Sequence, residues 1–210
     1  MPVPPGGYVV TAPASGTQAL WAPGPGNLTP IILTPKAQAP ADVAFRSAAA
    51  YAKETVETGQ EARALYLDRL ACAWTRATVC FRTVTAATNL EHGEIAICTG
   101  TPSVRTGAKL TRRGYVDAVA TFEGVAGVQT VTVTLSGLTA GDHLWVAWVQ
   151  KAGQGGTLAT FDPCVADHNQ SGCAQYKAAT QLSTMVAGTQ FGLLGDSVEP
   201  LWCVVEVWNA

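Results

Sequence analysis

The chain has 210 residues, room for one domain of ordinary size with an arm attached. Charged residues are only 13% of it and the formal net charge is −2, which excludes a surface that holds nucleic acid everywhere by charge. So charge-poor a surface is more natural when neighbours cover it than on a free monomer, although a small secreted β-protein rich in Ser, Thr and Gly would share the composition.

Residues 1–40 hold nine of the twelve prolines, at positions 2, 4, 5, 13, 23, 25, 30, 35 and 40. Such a segment sustains neither a helix nor a central strand. Apart from Tyr8, no ionisable side chain precedes Lys36. Disordered segments usually carry charge, whereas this one carries Trp21, Ile31, Ile32 and Leu33. An extended arm that docks on something apolar is expected, with Ile31-Ile32-Leu33 as a short edge strand and Trp21 as a further anchor. Pro4, Pro5, Gly6 and Gly7 break the one candidate signal region, so no signal peptide is expected, and no apolar run reaches the length of a membrane span.

The segment 41–210 reads as a single further unit. Over 41–70 alanine is dense, and the stretch "EARALYLDRL" (61–70) predicts a helix by propensity, so one or two short helices are expected here. From Ala71 onward the pattern is β. "ATVCFRTVT" (77–85) is rich in β-branched residues, "AATNLEH" (86–92) reads as a polar loop, and "GEIAICTG" (93–100) as a strand between glycines. "YVDAVATF" (115–122) reads as an irregular strand. In "VQTVTVTLSG" (128–137), Val131, Val133 and Leu135 alternate with Thr130, Thr132 and Thr134, the signature of a half-buried strand. "HLWVAWVQ" (143–150) and "LWCVVEVW" (201–208) are nearly continuous apolar runs, as expected for strands covered on both faces. Gly153, Gly155 and Gly156 read as a flexible turn. Several strands with long irregular connections predict an all-β sandwich or jelly roll.

Candidate chemistry is sparse. Of the six cysteines, Cys72, Cys80, Cys98 and Cys203 lie in apolar runs where a thiol acts as a small hydrophobe, and Cys164 and Cys173 flank a loop that a disulfide can bridge. His92, His143 and His168 sit without a nucleophile motif, and each is also explained as a solvated loop histidine. The loop "DPCVADHNQSGC" offers Cys164, His168 and Cys173 in a spacing short of a zinc signature, and Asp162 and Asp167 as oxygen ligands for calcium; a plain polar connecting loop is the preferred reading. The stretch "RTGAKLTRRG" gathers Arg105, Lys109, Arg112 and Arg113 with no acid between Glu94 and Asp117. Four cations on one connection suit phosphate contact, and Arg76 and Arg82 extend the patch, whereas a solvated loop is the alternative.

The order of features carries a resemblance. An arm leads to "EARALYLDRL", then "ATVCFRTVT", "AATNLEH" and "GEIAI", and near the end "FGLLGDSVEP" precedes a last apolar strand. This resembles the single jelly-roll coat proteins of small positive-strand RNA viruses, such as the sobemovirus, luteovirus and barnavirus groups, centrally over residues 61–98 and again over 186–210. The resemblance implies an eight-stranded jelly-roll β-sandwich that builds a shell from copies of itself around viral RNA, in the virion and in host cytoplasm during assembly. It implies no enzyme and no membrane, and an arm that runs inside or between subunits. It also implies subunit interfaces able to carry calcium, here carried to Asp162 and Asp167. One departure matters: those arms look strongly basic, and this one is not. Tymovirus coat proteins resemble it in lacking a basic tail, which leaves Arg105, Lys109, Arg112 and Arg113 as the expected RNA-facing cations. The competing readings are a secreted or surface carbohydrate-binding module, using Trp21, Trp145, Trp148, Trp202 or Trp208 as platforms, and a β-sandwich hydrolase using one of the histidines.

Overall fold

The computed structural model describes residues 8–10, 21–23, 31–33, 56–57, 62–101, 108–161, 175–178, 188–193 and 203–209. In chain order the strands are β1 (Tyr8–Val10), β2 (Trp21–Pro23), β3 (Ile31–Leu33), β4 (Val56–Glu57), β5 (Arg63–Arg69), β6 (Arg76–Thr85), β7 (Thr88–Thr99) and β8 (Ala108–Asp117). The short helix α1 (Val119–Phe122) follows, then β9 (Gly127–Thr134), β10 (His143–Thr157), β11 (Thr160–Phe161), β12 (Gln175–Ala178), β13 (Thr189–Leu193) and β14 (Cys203–Trp208).

Apart from the small β1–β2 ladder, the strands form two antiparallel sheets, an all-β sandwich. The open sheet runs β3-β14-β6-β11-β4, with β9 along the other side of β6. The second sheet runs β10-β5-β12-β13-β8-β7 and closes on itself. Four of the ladders nest in the chain: β7 with β8, β6 with β9, β5 with β10, and β3 with β14. Each outer pair encloses the pair within it, so the chain behaves as one antiparallel ribbon folded over itself.

Strand alternation places two cores. Leu65, Leu67, Ile95, Ile97, Val146 and Trp148 point from the closed sheet into the sandwich, where Val79, Phe81, Val131, Val133, Val205 and Val207 meet them from the open sheet. Phe81, Phe122 and Phe161 pack edge to face at its centre, with centroids 5.4 to 6.0 Å apart. The alternate residues Ala62, Ala64, Ala96, Cys98, Trp145, Ala147 and Val149 form a second, smaller core on the other face of the closed sheet. That second core explains the unbroken apolar run 143–150: both faces of β10 are buried. β14 differs, because Cys203, Val205 and Val207 are buried while Val204, Glu206 and Trp208 are only partly covered.

Four local expectations are corrected. Residues 63–69 form strand β5, not a helix. Leu65 and Leu67 serve one core and Ala64 and Tyr66 the other, so burial on two faces overrides a helical propensity worth only tenths of a kcal/mol per residue, about 0.7 at most. The polar segment 86–92 belongs largely to β7, which starts at Thr88 and buries Leu90. The expected strand 115–122 ends at Asp117, whose Oδ1 accepts the Val119 amide at 3.0 Å, and α1 follows it. The glycines 153–156 are not a turn: they lie within β10 as a bulge beside β7, where the register shifts between Ala152 and Thr157. A Cβ at Gly156 would meet the backbone oxygens of Thr88 and Asn89, which is why the strand needs glycine there.

The edge strand at Ile31–Leu33 is present and pairs with β14. The closure of the second sheet by β12 and β13 goes beyond the expected eight strands.

Candidate functional site

The predicted cation cluster lies on β8, and the strand separates its members. Successive side chains of a strand point to opposite faces. Leu110 belongs to the small core of the closed sheet and Arg112 shares its face, whereas Lys109 and Arg113 take the other. Lys109 is exposed. Arg105 lies outside the described residues.

Arg112 is committed to a buried partner. Its Nη1 donates to Glu94 Oε1 at 2.8 Å, and Glu94 is 2% exposed. The guanidinium also stacks 4.1 Å over the Tyr115 ring. His92 Nε2 stands 3.4 Å from Glu94 Oε2, an electrostatic contact rather than a directed hydrogen bond. Directly across the β7–β8 ladder, Glu94 faces Asp117, a like-charge opposition that Arg112 offsets. Arg113 Nε donates to Thr99 Oγ1 at 2.7 Å, and its own carbonyl accepts the Ser136 amide at 2.9 Å. Arg76 bonds Thr134, and Arg82 is exposed on the outer face of β6, on the open sheet rather than beside β8.

The sequence pattern alone does not mark Glu94 as a site residue. The available signal was its place in "GEIAICTG", at the same parity as Ala96 and Cys98, in a run otherwise free of charge.

The remaining candidates have mostly bland surroundings. His143 Nδ1 lies 3.0 Å from the Tyr66 hydroxyl, and Tyr66 packs edge-on to Trp145 with centroids 5.1 Å apart. Burial, with Asp68 adding to it and Arg69 opposing, raises the Tyr66 hydroxyl above its ordinary value. No nucleophile adjoins this group among the described residues. Burial pushes the Cys98 thiol up to about 12, with Glu94 adding to it and Arg112 and Arg113 opposing. It therefore stays a protonated hydrophobe, as does the free thiol of Cys72, also raised by burial. Trp145 and Trp148 are buried, and Trp145 Nε1 donates to the Gly100 carbonyl at 2.7 Å, so neither offers a sugar platform.

Of the arm anchors, Leu33 points into the chain's own core at 7% exposure, whereas Ile32 is 67% exposed. Trp21 lies in β2 opposite Val10. Asp162, Cys164, Asp167, His168, Cys173 and Trp202 lie outside the described residues. Among the described residues no three His, Cys, Asp or Glu side chains gather as metal ligands, and no helix is long and apolar enough to cross a membrane. The cavity lined by Val79, Phe81, Ile95, Phe122, Val146, Trp148 and Phe161 has a volume of about 10 Å³, room for a water-sized group at most.

What the described surface offers is therefore strand edges, threonine rows and exposed cations such as Lys109. Comparison with protein families, with curated proteins and with solved structures gives no match to the chain.

Proposed function

We propose that the chain is the coat subunit of a small non-enveloped RNA virus, a jelly roll that assembles into a shell from copies of itself. The observation that carries this reading is the nesting of the four ladders β7–β8, β6–β9, β5–β10 and β3–β14. A ribbon rolled in that way yields the neighbour orders β3-β14-β6-β9 and β5-β10-β7-β8, two Greek keys in two sheets, the arrangement used by viral shells and by lectins. Fold alone does not assign activity. Between those two uses, the buried Trp145 and Trp148 speak against the lectin, and a surface with so few charges suits repeated subunit contact.

RNA is held without sequence preference in this proposal. Lys109 is the member of the β8 group left for phosphate, with Arg105 on the preceding connection, because Arg112 is paired with Glu94 and Arg113 with Thr99. The arm with Trp21, Ile31 and Ile32 packs on protein, and calcium at subunit contacts through Asp162 and Asp167 belongs to the same proposal. The protein would be found in the virion, and in host cytoplasm while particles assemble.

Electron microscopy of the purified protein tests the reading. Closed particles of uniform size, with RNA protected from nuclease, are the expected result. A monodisperse monomer at every salt concentration and pH would overturn it.

A further inference from the structure

Among the described residues, strand β9 pairs along one side only. Its register against β6 runs without interruption from Gly127↔Thr83 to Thr134↔Arg76. The Leu135 amide donates to Thr75 O, so the odd-numbered residues turn their backbone groups toward β6. By strand alternation Val128, Thr130 and Thr132 turn theirs to the free edge. Thr134 has its carbonyl covered, since a Cβ on Gly114 would collide with it. The open part of the edge thus centres on Thr130.

Native edges are guarded by lysine, proline or a bulge. Here no charged residue, histidine or proline occurs between Glu123 and Asp142, and the ladder has no bulge. Val128 is 65% exposed and Val125 is 86% exposed, while Thr130 and Thr132 are exposed beside them. An edge of this length and composition pairs readily with another strand.

We infer that β9 pairs with β9 of a second copy of this chain, antiparallel about a two-fold axis at Thr130. The register is self-complementary. Thr130 faces Thr130, and Val128 faces Thr132, so no charge opposes a charge and the outer face carries a threonine–threonine pair. Thr130 exchanges both of its backbone bonds with its counterpart. The two open sheets then become one continuous sheet across the axis, an isologous contact. This deepens the assembly reading by naming one of the contacts, and it needs only that copies meet.

Sedimentation velocity on the wild type, on Thr130→Lys, on Thr130→Glu and on an equimolar mixture of the two variants tests it. Thr130 is exposed, so both variants should retain the wild-type melting temperature. Each variant alone sets like charges face to face and is expected to lose the two-copy species. The mixture sets opposite charges face to face and is expected to regain it. Unchanged association in both single variants, or a mixture no better associated than its components, would overturn the inference. Two-copy species without closed particles would instead overturn the shell and leave this contact standing. Particles that form equally well from either variant would do the reverse.

Discussion

Arg112 and Glu94 face the same side of the β7–β8 ladder, Nη1 to Oε1 at 2.8 Å, and the acid is almost wholly buried. A cation read from sequence as phosphate-facing is instead the counter-charge of a carboxylate within the fold. Removing one member of a buried pair costs more than the pair contributes, because the other charge is stranded. Arg112→Met is expected to lower unfolding free energy by about 3 kcal/mol. Adding Glu94→Gln to it should recover a large part of the loss. Urea denaturation of the single and double variants measures both, and an additive pair of losses would contradict the coupling.

Lys109, being exposed, predicts the opposite balance. Lys109→Ala should leave the melting temperature unchanged and reduce the slope of log RNA affinity against log salt by about 1. Fluorescence anisotropy with a short RNA across a salt series would show it. An unchanged slope would remove Lys109 from the RNA-facing surface.

Cys98 supplies a pH test. Its folded value, about 12, lies above its ordinary 9.0, so the fold favours the neutral thiol. The stabilisation is complete below pH 9 and is lost as pH rises toward 12. Tyr66, raised from 10.0, adds to the fall in the same direction. Cys98→Ala should shrink this alkaline loss of stability in thermal melts, and the native thiol should resist alkylation at pH 8 until the chain is unfolded. Rapid native-state labelling of Cys98 would contradict its burial.

The aromatic triad gives the largest expected core effect. Phe81, Phe122 and Phe161 touch edge to face, and each is about 1% exposed. Phe161→Ala should cost about 3–5 kcal/mol, the range for a buried phenyl whose cavity does not collapse. Chemical denaturation measures it, and a cost near that of a surface substitution would show that β11 packs elsewhere.

The sequence pattern identified the β class, the threonine–valine alternation of β9 and the double burial of β10. Those features rest on a period of two, which local composition records directly. It failed at β5, where "RALYLDR" has strong helix formers but both faces are claimed by packing that no local window contains. It failed at residues 153–156 because glycine marks a turn and a close backbone approach alike, and only the partner strand decides which. Among the site residues, the even and odd positions of β8 have no separate meaning as long as the stretch is taken for a loop. Once it is a strand, adjacent Arg112 and Arg113 must part company. Glu94 shows the same limit, since its importance comes from an ion pair formed 18 positions away.

The hairpin β12–β13, which joins β5 to β8, has a consequence for how copies can join. By closing the second sheet it takes both of that sheet's margins out of circulation. Among the described residues the open sheet ends at β3, three residues long, at β4, two residues long, and at β9, whose open part runs from Val128 to Thr132. Among the described residues β9 is the one extended margin able to take a further strand, a strand valence of one. Pairing through β9 would then form a couple and leave no second long margin among the described residues, so further assembly would proceed through side-chain surfaces whose angles can curve and close.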